Sequence, residues 1–472
     1  MKQSIVLNDS PSEQISADSA PGPVHVYVTD RERRFERENE LPWQTQRAAS
    51  FPALDLNPGT TFQEILGFGA ALTDAACYLL DKLSASARKE FLREIFDPAA
   101  MGLNTCRVCI GASDYAVELY GYDEGSPDPD LERFSIDHDR AYILPILKEV
   151  REICPKLFLV ASPWSPPGWM KVGGSMRGGS IQRKHFPAYA EYFRKFLESY
   201  AAAGVPVDAV TVQNEVDTDQ EGLMPACLWS QTNEMRFIGA HLGPQLAERN
   251  ISSKIWLLDH NYDLWGRALS ELADPKVRRF VDGVAWHGYA GDPSAMTVVQ
   301  KEHPDKHMYW TEGGPEDRHD PHLETNWAFW GVRFTDIMRN WARCVITWNL
   351  ILDEKGKPNI GPFACAGLVT VDSETQQITR NGQYWALAHF SRAIRRGARR
   401  IGCRGTIKKI SRVAFLNPDR SYAMVLTNTG QERAVRVRLP SDWEAEVVLP
   451  SDSLVTLAWN SAPADGGMRP NG

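Results

Sequence analysis

KLFLVASPW (156–164), HFPAYAEYFRKFLESYAAAG (185–204) and VDAVTVQNE (207–215) read in order as strand, helix and strand. The two short runs are almost continuously apolar, as parallel strands covered on both faces must be. Between them Phe186, Tyr189, Phe193, Phe196, Leu197 and Tyr200 recur at helical spacing as one stripe, and Gly204 supplies a stop. The same texture extends in both directions. EILGFGAA (64–71) and TCRVCIGASD (105–114) precede it; KIWLLDHNY (254–262), VDGVAWHGY (281–289), HMYWTEGG (307–314) and RCVITWNL (343–350) follow. Eight such strand–helix alternations predict an α/β fold closed as a (β/α)8 TIM barrel, over residues 61–391. An open doubly wound sheet would want a Gly-rich phosphate turn after its first strand, and GFGAALTDA lacks the full G-x-G-x-x-G.

Past residue 391 the texture changes. RVAFLNPD, SYAMVLTNTG, AVRVRLPSD, AEVVLPSD and LVTLAWN are short alternating runs punctuated by Asn, Pro, Asp and Gly, which predict an antiparallel β-sandwich over 392–461. VHVYVTD (24–30) alternates in the same way, so residues 24–60 are expected to add strands to that side domain. Residues 1–23 and 462–472 are rich in small and polar residues and are expected to be disordered tails.

Composition narrows the partners. A formal net charge of −8 argues against a polyanion. The one dense basic run, Arg392 to Arg404, reads as a solvated helix end and following strand. No window approaches the ~18–20 apolar residues of a membrane span, and MKQSIVLNDSPSEQ has no apolar signal core. The eight cysteines sit singly in apolar surroundings, so a reduced, cytoplasmic protein is expected. Cys106 and Cys109 fall on one strand and point to opposite faces, which argues against a metal or redox C-x-x-C. The pairs His303/His307 and His319/His322 are read as rim residues, with neither a metal nor a cofactor expected.

In such a barrel the active site lies at the C-terminal ends of the strands. Those ends carry Arg107, Asp114, Trp164, Asn214, Glu215, Asp259, His260, His287, Tyr289, Glu312, Trp348 and Asn349. Glu215 and Glu312 each follow a long apolar run, and a carboxylate at that depth is costly unless it is paired or used. Each could simply pair with Arg107 or another buried group. Two that converge on one mouth would match glycosidic cleavage, where one carboxyl delivers a proton and the other attacks the anomeric carbon. Aromatic residues near the same ends (Trp164, Trp169, Trp286, Tyr289, Trp310, Trp348) would suit the C–H faces of a sugar. SPWSPPGWMKVGGSMRGGS, after the third strand, reads as an active-site wall rather than a phosphate loop.

With these residues in place, the chain resembles glycoside hydrolase family 30, the glucosylceramidase-like retaining β-glycosidases. GFGAALTDAA, RVCIGASDY, ASPWSPPGWMK, VTVQNE, WHGY, TEGG, TWNLILDEKGKPN and GQYWALAHFSRAI carry the likeness, in order and at barrel spacing. The resemblance implies double displacement, with Glu215 as acid/base and Glu312 as nucleophile. It also implies Asn214 on the sugar 2-hydroxyl, Arg107 beside the nucleophile and Asp114 on distal hydroxyls. Trp164, His287, Tyr289 and Trp348 would line the sugar pocket. The implied substrate is a β-glycoside ending in glucose; an endo-β-1,6-glucanase or β-xylosidase is the alternative, and a catalytically silent carbohydrate-binding barrel a remote one. Lysosomal members read H-W-Y where this chain has His287-Gly288-Tyr289, which suggests a more open pocket wall here.

Overall fold

A computed structural model describes residues 21–45 and 51–461. The expected disorder of the tails concerns residues that lie, apart from 21–23, outside the described ones. Eight parallel strands close into a barrel in chain order: Gly67–Ala71, Thr105–Cys109, Phe158–Ser162, Ala209–Thr211, Lys254–Asn261, Val281–His287, His307–Glu312 and Ala342–Asn349. The helix between the third and fourth runs Phe186–Ala202 and buries the expected stripe together with Ala190 and Tyr192. Gly204 ends it in the left-handed region, at φ +83°. Trp327–Arg339 and Gly382–Ser391 follow the seventh and eighth strands. Among the described residues no helix is long and apolar enough to cross a membrane. All eight cysteines are free thiols, six of them buried.

Side chains fill the barrel in layers. The lowest is apolar, with Trp256 stacked on Tyr309 at 3.8 Å beside Val160, Ala209, Ala285, Cys344 and Ile346. Above it lies a polar layer of Arg107, Ser162, Thr211, Asp259 and Thr311, every one fully buried. The site is built on that second layer.

The remaining long strands hydrogen-bond into one ten-stranded sheet. His25–Thr29 pairs with Ser453–Asn460, so VHVYVTD joins the C-terminal strands and the side domain draws on both chain ends. The sheet is antiparallel throughout except where Arg433–Arg438 runs parallel to Ala53–Glu64. It curls on itself, so that Val26, Leu54, Met424, Val435, Val447 and Trp459 share one core. The two leaves of the sandwich are thus parts of a single sheet. Strand Ala53–Glu64 continues past residue 60, its last residue still paired with Arg399.

Arg392, Arg395, Arg399 and Arg404 of the basic run are exposed, as its charge suggests, but Arg396 and Arg400 turn inward. Arg396 donates to the carbonyls of Leu66 (2.8 Å), Asn104 (2.6 Å) and Lys156 (2.5 Å), where the strands enter the barrel. Arg400 lies buried over the Phe62 ring at 3.6 Å, and burial draws its pKa down to about 9. These guanidiniums tie the two domains together.

His389 does the same at the other seam, between Thr456 and Thr29, with both ring nitrogens 2.8 Å from a threonine hydroxyl. Thr456 donates its own proton to the His389 carbonyl, and Thr29 Oγ1 already accepts from Phe35 N–H. The network therefore closes with a neutral imidazole carrying its proton on Nδ1. Burial, aided by the Arg392 charge, lowers its pKa from 6.5 to about 3. Because the unfolded chain binds that proton first, the contribution of His389 to stability is present above pH 6.5 and is lost as pH falls toward 3, by about 1.4 kcal/mol per unit. Thermal melts from pH 6.5 to 4 should show His389→Gln losing less stability per unit than the parent. Parallel slopes would assign the acid sensitivity elsewhere.

Candidate active site

Three β-bulges shape the mouth of the barrel. Pairing slips by one residue at Asp259, where Ala285 faces Leu258 but Trp286 faces His260. It slips again at Thr311, where Trp286 faces Trp310 but His287 faces Glu312, and at Trp348 between Thr347 and Asn349. Each extra residue breaks the in–out alternation and re-aims the side chains that follow. Thr311 and Glu312 can both turn inward for this reason. Leu258, Asp259 and Glu215 take positive φ of 73°, 48° and 57°, and Glu215 N–H closes the turn on the Asp259 carbonyl at 3.0 Å. The fourth strand, expected over 207–215, accordingly keeps ladder pairing only at Ala209–Thr211.

Arg107 anchors the centre. Its guanidinium donates to Asp259 Oδ2 and Asn214 Oδ1, both at 2.7 Å, to Ser162 Oγ at 3.1 Å and to Glu312 Oε2. Asp259 also accepts from Ser162 (2.8 Å), Thr211 (2.7 Å) and Thr311 (2.7 Å), and its Oδ1 lies 3.1 Å from His287 Nε2. Burial opposes its charge, but Arg107 and these donors hold its carboxyl well below the usual range.

His287 lies between the two glutamates. Nδ1 is 3.3 Å from Glu215 Oε1, while Nε2, bonded to Asp259, is 3.9 Å from Glu312 Oε2. Burial alone would lower its pKa, yet Glu312, Asp259 and Glu215 together raise it to about 9. The converse holds for Glu215. Burial pushes its carboxyl up, and His287, His260 and Arg107 outweigh that and hold it low. The exchangeable proton of this pair therefore rests on His287, one hydrogen bond away from Glu215. Gln220 donates to the other Glu215 oxygen at 2.8 Å, and Tyr289 OH donates to Glu312 Oε1 at 3.0 Å.

A cavity of about 410 Å³ opens over this arrangement. It is lined by Asp114, Trp164, Asn214, Glu215, Tyr289, Glu312 and Trp348 among the residues singled out in the sequence. Arg107 and His287 lie one layer beneath the wall and do not line it. Trp164 and Trp348 stack on each other at 5.2 Å, with the Arg107 guanidinium over both rings. Asp114 is buried with no partner for Oδ1 among the described residues, and burial with the nearby Glu312 and Glu215 charges raises its pKa well above the ordinary value. Asn214 gives its carbonyl oxygen to Arg107, which leaves its NH2 as the end free to donate.

Half of the aromatic cluster is absent from the cavity. Trp286 packs on Tyr262, Trp310 on Phe334, and Trp169 donates to the Asp123 carbonyl, all away from the wall. Gly288 does not open the pocket either. A Cβ there would meet the Trp310 ring at 2.7 Å, and one at Gly313 would meet it at 2.3 Å, so these glycines make room for that indole. Residues given no role in the sequence reading complete the wall: Thr218, Gln220, Met224, His260, Asn261, Glu316, Phe363 and Cys365. Asp259, His260 and Asn261 carried a signal, as consecutive polar residues closing an apolar strand. Gln220, Glu316 and Phe363 sit in loops without one.

Among the described residues one cluster could hold a metal: Glu215, His260 and His287, whose ligand atoms lie within 4.8 Å of one another. His287 is engaged by Asp259, and His260 Nε2 by Asp217 at 2.7 Å. The His303/His307 and His319/His322 pairs are not part of it.

The glycosyl hydrolase family 30 TIM-barrel domain matches residues 65–394, and the family 30 beta sandwich domain matches 397–457. A Caenorhabditis elegans protein named putative glucosylceramidase 4 is 29% identical across 93% of this chain and 89% of its own length. An endo-1,6-beta-D-glucanase of Neurospora crassa is 32% identical across 73% of each chain. Among solved structures, the endo-beta1,6-glucanase BT3312 superposes with a TM-score of 0.84 at 29% identity, covering 93% of this chain and all of that one. SrfJ from Salmonella typhimurium gives 0.89 at 27%, with the same coverage. Matched along both of its domains, the chain belongs to glycoside hydrolase family 30, a family of retaining O-glycosidases.

Proposed function

We propose that this enzyme releases a terminal β-linked glucose by double displacement, with Glu312 as nucleophile and Glu215 as acid/base. The observation that carries the reading is one cavity holding two carboxylates in unlike settings, bridged by one imidazole. Arg107 and Tyr289 each grip an oxygen of Glu312, which fixes the carboxylate in place for attack. Glu215 faces the proton held on His287. In the first step His287 passes its proton to Glu215, Glu312 bonds to the anomeric carbon, the bond to the aglycone oxygen breaks, and that oxygen takes the proton from Glu215. In the second, Glu215 takes a proton from water, the resulting oxygen attacks the same carbon, and Glu312 leaves. The Asn214 NH2 would bond the sugar 2-hydroxyl, and Asp114 Oδ1 would find a partner in a distal hydroxyl.

Terminal action is supported by the hydrogen bonds that join the two loops beside Asp114 in the cavity wall. Ile360 N–H donates to the Asp114 carbonyl at 2.7 Å, Cys365 N–H to Tyr115 OH at 2.9 Å, and that hydroxyl to the Phe363 carbonyl at 3.2 Å. A second reading, endo-β-1,6-glucanase, is favoured by the names of two of the relatives. Assays on aryl β-glucoside, aryl β-xyloside and β-1,6-glucan, read by proton NMR, separate these. The expected result is rapid aryl β-glucoside hydrolysis with β-glucose as the first-formed anomer. Cleavage of the glucan with the aryl glycosides nearly untouched favours the second reading, and α-glucose formed first overturns the mechanism.

A further inference from the structure

Glu316 forms part of the catalytic cavity wall and also of a second concavity, of about 370 Å³, between the loop after the seventh strand and the start of helix Trp327–Arg339. Resting on the reading above, we propose that this groove binds the distal sugar units of a β-linked oligosaccharide whose terminal glucose occupies the cavity. The leaving group would then be a carbohydrate and not a lipid.

The chemistry of the groove carries the choice. Phe329 is 52% exposed, although Trp327, Ala328 and Trp330 around it are buried. Its ring is held in place, edge-on to Trp330 at 5.4 Å and under the Arg333 guanidinium at 4.7 Å. A fixed, half-exposed aromatic ring is what the C–H face of a pyranose packs on. Around it lie hydrogen-bonding groups of both kinds. Trp330 is 2% exposed, and its indole N–H has no acceptor among the described residues. Arg333 offers further donors; Glu316 and Asp317 supply acceptors. Sugar hydroxyls can answer all of these. An acyl chain would answer none of them and would strip water from three carboxylates, Glu316, Asp317 and Asp320, and a guanidinium. Glu316 lines both spaces, and one molecule occupying both would pass beside it.

The test compares the parent with Phe329→Ala and Phe329→Tyr on p-nitrophenyl β-glucoside, β-linked glucose oligomers of increasing length, and glucosylceramide in mixed micelles. In the parent, kcat/KM should rise with oligomer length. Phe329→Ala should lower it about tenfold on the longest oligomers while leaving the aryl glucoside within about twofold, and Phe329→Tyr should restore it. Calorimetric titration of Glu312→Gln with the same oligomers reads binding without turnover and should follow the same order. If the aryl glucoside is cleaved but neither kcat/KM nor affinity depends on length, the groove is not a sugar site, and the catalytic reading stands. Loss confined to the glucosylceramide arm overturns the carbohydrate assignment. Failure of every β-glycoside to react, with length-dependent affinity retained, overturns the catalytic reading and leaves the groove.

Discussion

Glu312→Gln is expected to reduce kcat on every substrate this enzyme turns over by at least about 10⁴-fold, with the fold intact. The amide is isosteric, so Tyr289 OH keeps an acceptor and Arg107 keeps its bonds to Asp259 and Asn214. What disappears is the anionic oxygen whose attack forms the glycosyl–enzyme bond. Glu312→Gly goes further and leaves space on that face of the sugar. Azide entering there should attack from the nucleophile's side and yield the α-glucosyl azide from an activated β-glucoside. Proton NMR identifies that anomer directly. A Glu312→Gln enzyme within a few-fold of the parent would remove Glu312 from the chemistry.

The second large effect concerns Glu215. Glu215→Ala should cost about 10²- to 10⁴-fold on alkyl glucosides, whose leaving oxygen needs a proton, and far less in the first step on activated aryl glucosides. Azide should here trap the glycosyl–enzyme and give the β-glucosyl azide, opposite to the product from Glu312→Gly. The pH profile gives a further check. The required proton belongs to the Glu215–His287 pair and rests on His287, whose pKa is raised to about 9 by the three surrounding carboxylates. As pH rises through that value the proton leaves, so kcat/KM of the parent should decline above pH 9. Glu215→Ala assayed on an activated aryl glucoside should lack that decline. A uniform loss on all leaving groups, with the alkaline limb unchanged, would deny Glu215 the acid role.

The barrel was legible because parallel strands covered on both faces are apolar along their whole length, and eight such runs alternate with helical stripes. Glu215 and Glu312 were legible because an acidic side chain closing an apolar run is expensive to bury without a purpose. Alternation could not sort the tryptophans. The slips at Asp259, Thr311 and Trp348 decide which neighbours face inward, and a bulge leaves no mark in hydropathy. Gly288 is illegible for a related reason: a missing side chain reads as space, whereas Trp310 of the adjacent strand fills it. Arg396 and Arg400 misled because a run of positive charge reads as surface until the carbonyls and rings it covers are known.

Val413, Phe415, Val425 and Leu454 of the curled sheet belong to the same apolar cluster as the barrel helices, and a Cβ on Gly331 would fall 2.7 Å from Leu454. The catalytic and accessory units are therefore not interchangeable modules. A chimera that exchanges the barrel alone between relatives inherits a mismatched interior, and a workable crossover must carry both chain ends along with it.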